Sequence, residues 1–192
     1  MIADQDRSGW IGASDTSYVM SNWNTKTFQK WWMTKLGLNR KHFENESTKA
    51  GTNWEHKILD SLHIDGMEKD KQILIPELRL RVNLDGNTGG HIVEVKTHKE
   101  EKPYKITAAH RRQVNVQMYA MRHIVCEDVS AEIASYGLTK EDYRNFFRDI
   151  DPERLREHPV EYDETFIVAW LPRITYLADC LEKGVFPHEE PH

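Results

Sequence analysis

The chain has 192 residues, 39% of them hydrophobic and 30% charged, with a formal charge of −5 at pH 7. That length and balance suit one globular domain with its own core, and a net acidic chain does not coat nucleic acid by bulk charge. No run approaches the roughly 18 apolar residues of a membrane helix, and the opening "MIADQDRSGW" lacks the layout of a signal peptide, so a cytoplasmic protein with no membrane partner is expected.

In chain order, "SDTSYVMS" begins with a Ser-Asp pair of the kind that caps helices, and "TKTFQKWWMTKLG" predicts a second short helix from Thr25 to a stop at Gly37. A third helix is expected from about Ser47, with Glu55, Ile58, Leu59 and Leu62 at i, i+3, i+4 and i+7. Glu55 thus falls on or beside a stripe that should be apolar. "KQILIPELRLRVNLDG" predicts extended structure with a proline break and "HIVEVKT" another strand, with "DGN" and "TGG" as turn residues of a hairpin between them. Val114, Met118, Met121 and Val125 predict a long helix between Thr107 and Val125, with Gln113 and Gln117 on a neighbouring stripe. "VSAEIASYGL" is readable as a strand, "TKEDYRNFF" as a capped helix and "PVEYDE" as a short strand. A long amphipathic helix closes the chain, with Ile167, Trp170, Leu171, Ile174, Leu177, Ala178 and Leu181 facing inward and a kink expected at Pro172. This order implies an α/β (α+β) fold with a mixed sheet containing an antiparallel meander, flanked by helices. Cys126 and Cys180 are far apart and suggest neither a disulfide framework nor a zinc finger. Trp10, Trp23, Trp31 and Trp32 suit either core packing or stacking on unpaired bases.

The chemistry concentrates in "NLDGNTGGHIVEVKTHK". Strand periodicity puts Glu94 and Lys96 on one face and Val93, Val95 and Thr97 on the other. If Asp85 turns onto the same side, its carboxylate, that of Glu94 and the carbonyl of Val95 share a hard cation. Oxygen ligands suit Mg²⁺ or Mn²⁺, and nothing nearby offers the thiolate or clustered imidazoles that zinc prefers. Such an ion lowers the pKa of bound water and neutralises charge on a phosphoryl group. Lys96 then orients or deprotonates the attacking water, or stabilises the oxyanion. The plainer alternative makes Asp85 a turn residue and Glu94 and Lys96 the polar face of an edge strand. The window Lys96 to Arg112, with six Lys and Arg against two acids, marks one edge that draws anions.

Four separated blocks resemble, in order, the PD-(D/E)XK nucleases, and within them the phage exonucleases of the lambda exonuclease and YqaJ viral recombinase type. "WIGASDTSYVM" is similar to the family's I-G-x-S-D opening, "AGTNWEHKIL" to its G-x-x-x-E helix, "LRVNLDG...HIVEVKT" to its D...E-x-K core and "RRQVNVQMYAM" to its Q-x-Q helix. The P-D dipeptide of the wider superfamily is absent, since Asn83 stands two before Asp85. The resemblance implies a restriction-endonuclease-like core over about residues 7–125 of a single domain 1–192, with residues 126–192 of unassigned role. It implies Asp85 and Glu94 as metal carboxylates, Lys96 as the catalytic lysine, Glu55 as an acid that joins or supports the metal site, and Gln117 as a glutamine approaching it, with Gln113 less clearly so. Arg7 and Ser14 match positions that hold a terminal 5′ phosphate, and Lys102 matches the place of another phosphate-binding cation, with lysine where the family has arginine. An arginine fork and a hydroxyl near a helix start are physically suited to that anion.

The resemblance implies a Mg²⁺-dependent DNA exonuclease of phage or prophage recombination that resects duplex ends 5′ to 3′, with a single-strand annealing protein as partner and a trimeric homo-oligomer as the family's assembly. Two rivals are a PD-(D/E)XK endonuclease acting on DNA structure or sequence, and a nucleic-acid-binding module without turnover.

Overall fold

A computed structural model describes residues 8–38, 46–125 and 128–188 of the chain. The elements follow in the order β1 (Ile11–Gly12), α1 (Thr16–Val19), α2 (Lys26–Lys35), α3 (Glu46–Ser61), β2 (Glu68–Ile75), β3 (Leu80–Thr88), β4 (His91–Lys99), α4 (Ala108–Met121), β5 (Ser130–Leu138), β6 (Leu155–Val160) and α5 (Glu164–Lys183). Short 3₁₀ turns at Ala13–Asp15, Pro76–Leu78 and Pro152–Arg154 join some of them. The fold is α/β with one mixed six-stranded sheet, ordered β1-β3-β4-β5-β6, and β2 also pairs with β3. The β1/β3 and β4/β5 pairs are parallel, and the β2/β3, β3/β4 and β5/β6 pairs are antiparallel.

Local chemistry explains the helix starts. Thr25, Thr107 and Asp163 each accept a hydrogen bond from the backbone N–H three residues on, which satisfies one of the free donors of α2, α4 and α5. Gly184 ends α5 in the left-handed conformation. Within α5 the chain stays helical through Pro172. The carbonyl that Pro172 leaves without a donor belongs to Val168, which is 63% exposed, so water can serve it.

Two apolar layers sandwich the sheet. Trp54, Ile58 and Leu59 of α3 pack on Val93, Val95 and Tyr136. The larger layer gathers Phe28, Trp32, Val114, Met118, Trp170 and Leu177 from the other helices, with Trp23 from the turn before α2, over Ile92 and Ile133. Ile92 and Val93, consecutive on β4, enter different layers, as a period of two requires. Trp23, Trp31 and Trp32 are buried in the core, whereas Trp10 lines an open cleft. Cys180 is buried and unpaired on α5, while Cys126 lies outside the described residues.

The structure corrects two local expectations. The turn after β3 is only Gly89-Gly90, and "DGNT" continues the strand, because Gly86 and Asn87 pair with β2 on one side and β4 on the other. Asp85 is therefore a mid-strand residue. "TKEDYRNFF" makes turns instead of a helix. Its first turn closes as a capping box would, with Thr139 N–H donating to the Asp142 carboxylate and Asp142 N–H to the Thr139 hydroxyl. Lys57 of α3 then captures the carbonyls of Phe146 and Arg148, and the Asn145 side chain captures the N–H of Phe147. A continuing helix would instead have directed the Phe147 N–H to the carbonyl of Tyr143.

Among the described residues, no helix is long and apolar enough to cross a membrane.

Candidate active site

The site begins where the β3/β4 ladder stops. Its last rung joins Gly86 and Val93, so Asp85 and Glu94 are the next pair along and are left unbonded to each other through the backbone. The N–H of Val95 is instead taken by the side chain of Asp85, whose Oδ2 accepts it at 2.7 Å. A carboxylate has replaced a strand as the partner of β4, and the two strands part around it. On its other side β4 is fully paired with β5 from His91 to Lys99, so the opening is held on a rigid strand.

Glu94 is 2% exposed, and both of its oxygens are occupied. Oε1 accepts from Lys96 Nζ and from Gln113 Nε2, each at 2.5 Å, and Oε2 accepts from Gln117 Nε2 at 2.5 Å. Lys96 also donates to Gln113 Oε1 at 3.3 Å. Gln113 and Gln117 are one turn apart on α4, which places both amides over the strand. Gln113, the less certain of the two in the sequence, thus touches both Glu94 and Lys96. Gln117 also reaches the carbonyl of Asn83, at 3.4 Å, and its own Oε1 is buried without a partner.

Glu55 enters from α3, half-buried, and completes a set of three carboxylates that act on one another electrostatically. Burial, then the charges of Glu94 and Asp70, push the Glu55 carboxyl up to about 7. Poor solvation and the charges of Glu94 and Glu55 hold Asp85 well above the usual carboxylate range, against the opposing pull of Lys96 and the Val95 N–H. Burial alone would lower the Lys96 ammonium, but Glu94, bonded to it, holds it above its ordinary value. Three acids facing one lysine therefore have a high affinity for additional positive charge.

Periodicity gave no sign of two neighbours. Asp70 lies on β2 at the register position opposite Asp85, with a positive φ of 58°. Its carboxylate meets His56 Nε2 at 2.9 Å, and one ligand-type atom from each of Glu55, His56 and Asp70 lies within 4.8 Å of the other two. Only the pairing of β2 with β3 brings Asp70 there.

A cleft of about 320 Å³ leads away from the acids. Glu55, Asp70, Asp85, Ser14, Lys35 and Arg81 all line it. The Ser14 turn is held by Asp15, which accepts from Gly12 N–H at 2.8 Å and Trp31 Nε1 at 3.0 Å and pairs with the buried Lys35 at 2.6 Å. Lys102 is placed apart from this cleft, on an exposed turn after β4 where its N–H donates to the carbonyl of Lys99. Arg7 lies outside the described residues.

The fold is shared with two solved exonucleases. An alkaline exonuclease from Laribacter hongkongensis superposes with a TM-score of 0.68 at 16% identity, over 92% of this chain and 90% of that one. A phage-related exonuclease from Haemophilus somnus 129PT does so with a TM-score of 0.53 at 11% identity, over 91% of this chain and 92% of that one. No family model matches the sequence, and no curated protein matches it.

Proposed function

We propose that this chain is a metal-dependent deoxyribonuclease that hydrolyses phosphodiester bonds from duplex ends, in the 5′ to 3′ direction, and that all of 1–192 works as one nuclease domain. The observation that carries the reading is the parting of β3 and β4 at Asp85 and Glu94, with Lys96 two residues on and Glu55 converging from α3. The pairing of β5 with the whole of β4 supports including residues 126–192 in the same unit.

The donor set fits a hard divalent cation. Its carboxylates are all oxygen ligands, two of them retain protons above the usual range, and a buried amide oxygen of Gln117 has no partner among them. Asp85, Glu94, the carbonyl of Val95 and Glu55 would hold Mg²⁺, or Mn²⁺ in its place. Bound there, the ion supplies a more acidic water and neutralises charge on the phosphate. The remaining work falls to the chain's own groups. Gln113 and Gln117 fix the Glu94 carboxylate through both of its oxygens. Lys96 stays protonated while bonded to Glu94, which favours stabilising an oxyanion over accepting a proton from water. Ser14, which lines the same cleft, and Arg7 are the groups we assign to the terminal 5′ phosphate.

The test is digestion of linear duplexes labelled at one end, with and without a 5′ phosphate, in Mg²⁺. Release of labelled mononucleotides from the 5′ end, faster with the phosphate, is expected. Cutting of closed circular DNA would replace the exonuclease with an endonuclease, and binding without turnover in either metal would replace it with a non-catalytic module. A phage or prophage recombination role, an annealing partner and a homotrimer follow from the family resemblance and are checked separately by pull-down and by mass in solution.

A further inference from the structure

Beyond Lys96, the strand β4 and the connection to α4 carry a feature that the hydrolytic site does not use. His110, Gln113 and Gln117 fall at i, i+3 and i+7 on α4, so His110 extends the stripe over the active site by about one turn, roughly 5 Å toward the helix N-terminus. Its Nδ1 lies 2.9 Å from the hydroxyl of Tyr104. The Tyr104 ring is the centre of a group of four. Its centroid is 5.7 Å from His110, with an interplanar angle of 2°, 5.5 Å from His98 and 5.2 Å from His158.

Each ring is anchored by a hydrogen bond and keeps part of its surface exposed, with Tyr104 also packed against the larger apolar layer. His98 Nδ1 faces the carbonyls of Lys99 and Lys102 at 3.0 and 2.9 Å, and His158 Nε2 faces the Ser135 hydroxyl at 2.8 Å. The rings are less buried than Trp32 and Trp54, which are fully enclosed in the core. The segment that carries the cluster is cationic and exposed, with Lys99, Lys102, Lys105 and Arg111 against Glu100 and Glu101. Lys96 is near enough for its charge to act on both Tyr104 and His110.

Resting on the nuclease reading above, we propose that Tyr104, with His98, His110 and His158 around it, is a stacking surface for an unpaired nucleobase of the strand whose phosphate lies at Lys96. Rigid, partly exposed rings on a lysine-bearing segment next to a phosphate-binding centre meet the requirements for holding single-stranded nucleic acid without reading its sequence. The basic window after Lys96 then serves the phosphates on either side of that base, and Lys102 is part of this surface and not of the cleft at Ser14. A base held here must be out of its duplex, so the surface would select frayed ends.

The experiment uses the full chain with Ca²⁺ in place of Mg²⁺ and a 5′-phosphorylated single-stranded oligodeoxynucleotide carrying 5-iodouracil at one position at a time. Illumination links iodouracil to an aromatic ring stacked on it. Crosslinks from one or two adjacent positions that map to Tyr104 or to one of the three histidines are expected, and crosslinks confined to other residues such as Trp10 would overturn the proposal. Affinity gives a second reading: Tyr104→Leu should bind the oligonucleotide on the order of tenfold more weakly, while Tyr104→Phe, which keeps the ring, binds like the parent. Equal affinity for a folded Tyr104→Leu also overturns it. If the leucine variant fails to fold, the crosslink map decides. A parent protein that digests duplex ends yet shows neither effect sinks the stacking surface alone, whereas a parent that does not cut DNA sinks the nuclease reading first.

Discussion

At Asp85 one carboxylate does two things that a single substitution can separate. Its Oδ2 replaces a strand as the acceptor for the Val95 N–H, and its negative charge sits against those of Glu94 and Glu55. Asparagine keeps an oxygen for the N–H and removes the charge. Asp85→Asn is therefore expected to melt at a higher temperature than the parent in EDTA, while Mg²⁺-dependent digestion falls by at least about a hundredfold. Differential scanning calorimetry and the end-labelled duplex assay read the two effects, and undiminished digestion would remove Asp85 from the site. Much of this residue-scale picture was legible beforehand. An acid on an apolar stripe marked Glu55, and a charge pair inside "HIVEVKT" marked Glu94 and Lys96. Gln113 was less clear because a glutamine beside a helix stripe has many uses, and only its 2.5 Å bond to Glu94 decides among them.

Elements matter through the distance at which they pack. At Gly86 the Leu59 side chain of α3 packs directly onto β3: a Cβ there would meet Leu59 Cδ2 at 2.7 Å and Met67 Sδ at 2.8 Å. Leu59 is one turn beyond Glu55 on the same helix, so whatever lifts α3 at Gly86 also moves the acid. Gly86→Ala is expected to cost about 1–3 kcal/mol by overpacking and to lower nuclease activity with every site residue intact. Urea unfolding and the digestion assay would show it, and an alanine variant with parental stability would mean that α3 has slack. The turn at Thr139 to Asp151 shows the opposite relation between local signal and outcome. Its capping box forms, but the Asn145 side chain accepts the Phe147 N–H that a continuing helix would give to the Tyr143 carbonyl, while Lys57, over eighty residues earlier in sequence, holds the carbonyls of Phe146 and Arg148 beyond it. Propensity in that segment lost to a local side-chain hydrogen bond and a tertiary contact.

For the whole molecule, Glu55 and Asp85, both held above the usual carboxylate range, make stability depend on pH in a direction opposite to that of an ordinary salt-bridged carboxylate. Glu55 has an ordinary value of 4.5 when unfolded and about 7 when folded, so between those values the folded state binds more protons than the unfolded one. Stability without metal then falls as pH rises from about 4.5 to 7, and the penalty is fully present above 7, by roughly 2 kcal/mol for this half-buried group. Thermal melts in EDTA should be highest near pH 5. Mg²⁺ should raise the melting temperature more at pH 8 than at pH 5, because at low pH the ion must displace protons. A metal-free protein that gains stability between pH 5 and 7 would contradict this electrostatic account.

The sequence by itself determined the elements whose cause is local. Capping by Thr25, Thr107 and Asp163 starts three helices, alternation in "HIVEVKT" sends Val93 and Val95 to one side of the sheet and Glu94 to the other, and the order of elements implies a mixed sheet flanked by helices. Tertiary structure decided what depends on partners far along the chain. Asp85 became a mid-strand residue once β2 and β4 both paired with the segment after it. Asp70 and His56 joined the acids, Lys35 was buried against Asp15, and Lys102 parted from Ser14, because strand register and helix packing fix which side chains meet. Periodicity reports the face of an element on which a residue lies, whereas the identity of the group it meets there is set by the packing of the other elements.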